Sequence, residues 1–191
     1  MEQRFRVGKG QLVLKRGDIT LEDTDAIANA ANGGLLGGAG VDGAIHDAAG
    51  PDLLLACRQV KKTLPNGRLP TGGAVITPGF DLPARHVIHC VGPVWAQAGD
   101  DAPWLLASCY SEALRLCREN GLKTIAFPSI STGIYGYPVT LAAPVALGAI
   151  RVALERDDLP RLVKMVLFDE VTFRAYADAA EQLFGPPAES T

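Results

Sequence analysis

Short apolar, β-branched runs alternate along this chain with longer stretches whose apolar residues recur at helical spacing. The runs 11–19 (QLVLKRGDI), 25–31 (DAIANAA), 73–79 (GAVITPG), 86–93 (HVIHCVGP), 124–130 (TIAFPSI) and 162–169 (LVKMVLFD) predict strands. Residues 42–50, 51–63, 103–120, 138–156 and 171–184 carry the 3.6-residue period and predict helices. Their boundaries have physical causes. Pro51 and Pro103 suit a first helical turn, Gly121 suits a C-terminal stop, and Pro160 prevents the preceding helix from running on. From Asp25 onward the strand runs are mostly continuously apolar, which predicts a sheet covered by helices on both faces. The pattern reads as a layered α/β sandwich. With no internal repeat or low-complexity linker, one domain is expected over 1–184, followed by a flexible tail at 185–191 (GPPAEST).

Composition narrows the class. The chain has 191 residues, 48% of them hydrophobic and 20% charged, which excludes a disordered chain and a coiled coil. A chain of this length buries enough surface to need neither disulfides nor a structural metal. The net charge of −3 offers no long-range attraction to nucleic acid or to an anionic membrane, so a bound phosphate would have to be held locally. The mildly basic stretch Met1–Arg16 reads as a solvated face. No apolar run of 18 residues occurs and the first residues lack a signal-peptide core, so a cytoplasmic protein without membrane contact is expected. Cys57, Cys90, Cys109 and Cys117 have no C-x-x-C spacing and read as reduced, buried thiols.

Seven of the 21 glycines fall between Gly33 and Gly50. In open α/β sheets ligands sit beyond the carboxyl ends of the strands, so strand-to-helix junctions are where chemistry is sought. Two junctions stand out. Asn29–Gly50 is a strand end, a glycine-dense loop and a helix start, in which backbone amides approach a ligand freely and the helix terminus adds positive charge. Pro128–Pro138 (PSISTGIYGYP) is the second. Two adjoining anion seats suit a diphosphate. No Gly-Lys-Ser/Thr occurs, which argues against a P-loop NTPase. Gly38–Gly43 satisfies G-x-G-x-x-G formally, but Lys61, Lys62 and Thr63 stand where a dinucleotide site wants an acidic residue, which argues against hydride transfer.

Asn29, Asn32 and Asp42 are polar residues among small apolar ones. They can serve as turn residues and a helix cap, or bind a sugar hydroxyl and a water; spacing alone does not choose. His46 lies one helical turn after Asp42, yet among Ala44, Ile45, Ala48 and Ala49 it reads as a structural histidine. His86 and His89 fall on opposite faces of a strand and cannot share a metal. Trp95 and Trp104 read as anchors that pin the polar segment 96–103 to the core.

The motifs GDIT (17–20), DAIANAAN (25–32), LLGGAGVDGAIHDAAG (35–50), PTGGAVIT (70–77), HVIHCVGPVW (86–95) and FPSISTGIYGYP (127–138) resemble, in order, those of MacroD-type macrodomains. The resemblance covers nearly the whole chain. It implies a three-layer α/β/α fold with a mixed, mainly six-stranded sheet, and a cleft for ADP-ribose. It also implies hydrolysis of ADP-ribosyl esters, whether on Asp or Glu side chains or as O-acetyl-ADP-ribose. By motif position, Asp18 with the backbone of Ile19 would take the adenine. Asn32 would serve the distal ribose, Gly40 and Val41 the diphosphate, and Asn29 would also touch the ligand. Asp42 would lie near C1″ as the catalytic carboxylate, with Asn32 assisting. Ser131, Thr132, Gly133, Ile134 and Tyr135 would close over the phosphates, and Phe168 would contact the adenosine half unless it is an ordinary core residue. No metal or other cofactor is implied, ADP-ribose being ligand and product. Partners would be ADP-ribosylated proteins or metabolites, with modified nucleic-acid ends left open.

The chain departs from that pattern at Ala39, which adds a methyl group where the family has glycine, and at Leu69 and Gly73. The alternative function is a non-catalytic ADP-ribose-binding module with the same cleft.

Overall fold

Each apolar run that reads as a strand becomes one, and each helical period becomes a helix. The computed structural model describes residues 1–191. Its strands are β1 (Glu2–Val7), β2 (Gly10–Arg16), β3 (Ala26–Ala31), β4 (Ala74–Pro78), β5 (His86–Val91), β6 (Thr124–Phe127), β7 (Leu162–Leu167) and β8 (Glu189–Ser190). The helices are α1 (Gly40–Ala49), α2 (Pro51–Lys61), α3 (Trp95–Ala98), α4 (Ala102–Glu119), α5 (Val139–Arg156) and α6 (Glu170–Phe184). All strands join one sheet in the order β4-β5-β3-β6-β7-β2-β1-β8. The five strands β5, β3, β6, β7 and β2 run parallel, whereas β4, β1 and β8 pair antiparallel at the two flanks.

The sheet is mixed, as expected, but has eight strands rather than six. β1 escapes a search for apolar runs because Arg4 and Arg6 alternate with buried Phe5 and Val7; it forms a hairpin with β2. β8 comes from the segment expected as a frayed tail: Glu189 and Ser190 pair with Arg4 and Gln3, extending the edge. The run 11–19 stops as a strand at Arg16, because the Asp18 carboxylate caps a short helical turn at Ile19–Leu21.

Helices cover both faces. Alternate residues of β3 point opposite ways: Ala26 and Ala28 join the larger buried cluster, with residues of α4, α5 and α6, whereas Ile27 joins the smaller one, with α1 and α2. The four cysteines lie buried in these layers as free thiols, and burial pushes Cys109 and Cys117 up to about 12. One tryptophan departs from its expected role. Trp95 packs against Tyr137 with the rings tilted and their centroids 4.6 Å apart, but Trp104 is 71% exposed and anchors nothing, because the first turn of α4 carries it outward. No helix is long and apolar enough to cross a membrane.

Tyr110 of α4 ties this scaffold to the loop after β6. Its fully buried hydroxyl donates to the Pro128 carbonyl at 3.2 Å and accepts from the Ile130 amide at 3.1 Å. Removing the hydroxyl leaves two buried backbone groups without a partner, at a cost of about 1–3 kcal/mol. Tyr110→Phe is therefore expected to lower the thermal midpoint by several degrees, read by calorimetry; an unchanged midpoint would mean that the loop is held by other contacts.

Candidate active site

The carboxyl ends of all five parallel strands open onto one cleft of about 600 Å³. Gly17, Asp18 and Ile19 follow β2, Asn32 and the glycine loop follow β3, and Gly92 follows β5. Pro128–Tyr135 follow β6, and Phe168, Asp169 and Thr172 follow β7. The sheet order β5-β3-β6-β7-β2 sets the long axis of the cleft. Asn32 and Gly92 stand at one end, and Asp18 and Phe168 stand at the other.

Two loops supply its polar floor. No backbone amide from Leu36 to Asp42 donates to an acceptor within the chain, nor does any from Ser131 to Tyr135. In the first loop this follows from the helix start, since the first-turn amides of α1 have no carbonyl one turn earlier. Gly40, its first residue, has φ +63° and open space where a Cβ would point. A side chain there would be strained by that φ, not by crowding. Ala39 just before it has φ −97° and ψ 177°, ordinary extended backbone, so the departure from the family's glycine run brings no strain. In the second loop Ser131 takes the left-handed value φ +69°, a costly conformation for a residue with a Cβ. Its buried hydroxyl has no partner and lies against Gly92, where a Cβ would come within 2.1 Å of Oγ. Glycine at 92 is what lets the loop after β6 pack against the end of β5.

The one deeply buried carboxylate of the cleft is Asp42, 4% exposed in the first turn of α1. It is not a helix cap: Ala39 holds that position and makes no side-chain cap. Instead Asp42 Oδ1 accepts from Asn29 Nδ2 at 2.8 Å and lies 3.5 Å from His46 Nε2. His46, expected as a packing residue, is thus paired with the acid through its position one turn later.

Asn29 is completely buried on β3 and does not line the cleft, so the expectation that it touches ligand is corrected. Its amide is committed beneath the floor. Nδ2 also stands 3.2 Å from His89 Nδ1, whose ring places Nε2 3.0 Å from Thr77 Oγ1, itself 3.1 Å from the Pro78 carbonyl. The directions follow from the ends. Thr77 donates to Pro78, so it accepts from a protonated His89 Nε2; His89 Nδ1 then accepts from Asn29, whose second hydrogen goes to Asp42. The reversed amide would aim its oxygen at a carboxylate and a ring lone pair. The chosen one leaves Asn29 Oδ1 unpaired in the interior.

Asn32 braces the glycine loop, donating to the Gly37 carbonyl at 3.1 Å and accepting from the Gly34 amide at 3.1 Å. One amide hydrogen remains free. A Cβ on Gly38 would come within 3.1 Å of Asp42 Oδ2 and 3.4 Å of Asn32 Nδ2, so the bare glycine keeps both groups facing the same space. At the far end Asp18 is exposed; one of its oxygens receives the Thr20 amide and hydroxyl. Phe168 is 83% exposed at the end of β7, which removes the reading of it as a core residue. No three His, Cys, Asp or Glu side chains gather as metal ligands.

The cleft brings together Asp18, Ile19, Asn32, Gly40, Val41, Asp42, Ser131, Thr132, Gly133, Ile134, Tyr135 and Phe168, and sets Asn29 behind Asp42. Sequence reasoning missed the role of His89, whose partner lies on a neighbouring strand. It also missed Asp169, whose carboxylate caps α6 by accepting from the Thr172 amide at 2.7 Å. The spacing of Asp169 before an amphipathic run was a legible capping signal.

The Macro domain family model matches residues 28–146. A Cronobacter sakazakii protein named O-acetyl-ADP-ribose deacetylase is 50% identical over 167 residues, which is 87% of this chain and 92% of that protein. The structure superposes on a variant of the Oceanobacillus iheyensis macrodomain with ADPR with a TM-score of 0.93 at 49% identity, covering 96% of this chain and 98% of the other. A Trypanosoma brucei macrodomain in complex with ADP-ribose gives 0.78 at 42% identity, covering 86% and 67%. The match in sequence, in fold and over nearly the full length makes this chain a member of the macro domain family.

Proposed function

We propose that this chain binds ADP-ribose across the cleft and hydrolyses ADP-ribosyl esters, both those on Asp and Glu side chains and O-acetyl-ADP-ribose. The observation that carries this reading is the placement of Asp42 at the end of one of two rows of unpaired backbone amides that line the same cleft. Such rows complement the two charges of a diphosphate, helped at α1 by roughly half a unit of positive charge. A nucleotide seated on them with its adenosine half toward Asp18 and Phe168 has its distal ribose beside Asn32 and Asp42. The names of the Cronobacter and Oceanobacillus relatives agree with that ligand and with ester hydrolysis.

The chemistry asks for little more. For an ester joined at C1″, water attacks C1″ as the bond to the carboxylate oxygen breaks, and the ribose passes through a state with oxocarbenium character. A carboxylate beside C1″ stabilises that charge, orients the water and takes its proton. The departing group is already a stable carboxylate, so no general acid is required, and the cleft has none beyond its acids and Tyr135. The Asn29 amide holds Asp42 by a charge-assisted hydrogen bond, and neutral His89 fixes which way that amide faces. Burial, with the nearby His46 second, holds His89 down to about 3.

Asp42→Ala is expected to lower turnover of a glutamyl-linked substrate by about 10²-fold or more, while ADP-ribose binding largely persists. Turnover equal to that of the parent would contradict the assignment and favour a binding module. The second expectation concerns His89. Because only the unfolded chain takes up this proton as pH falls below about 6.5, its contribution to stability is complete above that value and is lost on the way down to about 3. Nitrogen NMR of the imidazoles at pH 5 should show His89 neutral and protonated at Nε2; titration near 6.5 would contradict the network.

A further inference from the structure

A second cavity, of about 510 Å³, lies beyond the Asp42 end of the cleft and shares Asn32, Gly92 and Tyr135 with it. It faces away from Asp18 and Phe168, on the side of the strand-end line where Pro70 and Thr71 lead into β4. In the proposed reaction the group that leaves C1″ has to lie on this side.

Its wall is unlike that of the cleft. The cleft's charged side chains are all acids, Asp18, Asp42 and Asp169, whereas the only charged side chain on the second cavity is Arg68. The Arg68 guanidinium is exposed and has no carboxylate within 4 Å. It packs beside the glycine loop: a Cβ on Gly33 would come within 3.1 Å of its Nη2, and one on Gly34 within 4.0 Å of Nη1 and 3.3 Å of Asn32 Oδ1. Arg68 and the proposed ribose-binding amide therefore flank the same glycine. The chain leading here, RQVKKTLPNGR from Arg58 to Arg68, has four cations and no acid, and none of the four is in a salt bridge. Arg58 and Lys61 at the end of α2 suit its dipole, but Arg68 lies outside any α-helix and has no such role.

We propose that this cavity is the acceptor subsite, which takes the polypeptide side of the ADP-ribosyl ester and favours segments carrying a further carboxylate next to the modified residue, held by Arg68. The proposal rests on the ester-hydrolase reading. A polypeptide suits the cavity better than a nucleic acid, since Tyr135 is its only aromatic and is shared with the cleft, leaving no stacking platform for bases. Asn66, Thr71 and Gln97 supply neutral partners for peptide groups. The interaction is that of an exposed ion pair, so the selectivity is modest and falls with salt.

The test uses the full chain and its Arg68→Gln and Arg68→Glu variants on three glutamyl-ADP-ribosylated peptides that differ only in Glu, Gly or Lys beside the modified residue. O-acetyl-ADP-ribose serves as a substrate without a polypeptide. The parent should favour the acidic flank over the basic one by about two- to fivefold in KM at low salt, the range an exposed pair supplies. Arg68→Gln should erase the preference and Arg68→Glu reverse it, with O-acetyl-ADP-ribose turnover and ADP-ribose affinity unchanged. Peptide hydrolysis that ignores the flank overturns the acceptor subsite and leaves the hydrolase reading standing. Hydrolysis of O-acetyl-ADP-ribose with no peptide cleaved overturns the polypeptide assignment. An ADP-ribosylated oligonucleotide preferred over every peptide, through Arg68, assigns the cavity to phosphate instead. No hydrolysis of any ester overturns the proposed function itself.

Discussion

The bond from Asn29 Nδ2 to Asp42 Oδ1 joins the middle of the sheet to the first turn of α1 and fixes the orientation of the one buried carboxylate of the cleft. Asp42 is 4% exposed, so its carboxylate has few waters and depends on protein donors for its hydrogen bonds. The amide that serves it leaves its own oxygen unpaired in the interior, a cost of about 1–3 kcal/mol. Holding a carboxylate in a fixed orientation at the mouth of a loop whose amides are also unpaired is an arrangement that stability alone would not select. Strain at Ser131 and the orphaned Ser131 hydroxyl repeat the pattern on the opposite loop.

The scaffold makes this arrangement affordable in structural terms by keeping it at one edge. Five parallel strands deliver their ends to a single line, and helices on both faces bury the rest. Residues on that line therefore come from separate parts of the sequence, 17–19, 32–42, 92, 128–135 and 168–172, without any of them leaving its local element. Charge divides along the same line. Acids occupy the nucleotide cleft, where the amide rows supply the positive potential, and the one cation stands at the far end, past Asn32.

Much of the fold was legible because periodicity reports burial directly. Strands β2 to β7 and every long helix follow from apolar spacing, with ends set by Pro51, Pro103 and Gly121. β1 was not, since Arg4 and Arg6 mask a two-residue alternation, and β8 was not, since two polar residues carry no period at all. In the site, glycine density and the family motifs pointed to both loops. What stayed hidden depends on pairing across the fold: that Asn29 faces inward, and that His89 meets it from the neighbouring strand β5. A local pattern can give a side chain's face but not its partner. Trp104 illustrates the converse, a large apolar residue whose size suggested an anchor and whose place on the helix points it outward.

The central claim is that this edge reads a second sugar beyond the diphosphate, through Asn32 and Asp42. Calorimetric titration of the parent chain with ADP-ribose and with ADP tests it most directly. Clearly tighter binding of ADP-ribose is expected; equal affinities for the two ligands would mean that no second sugar is read.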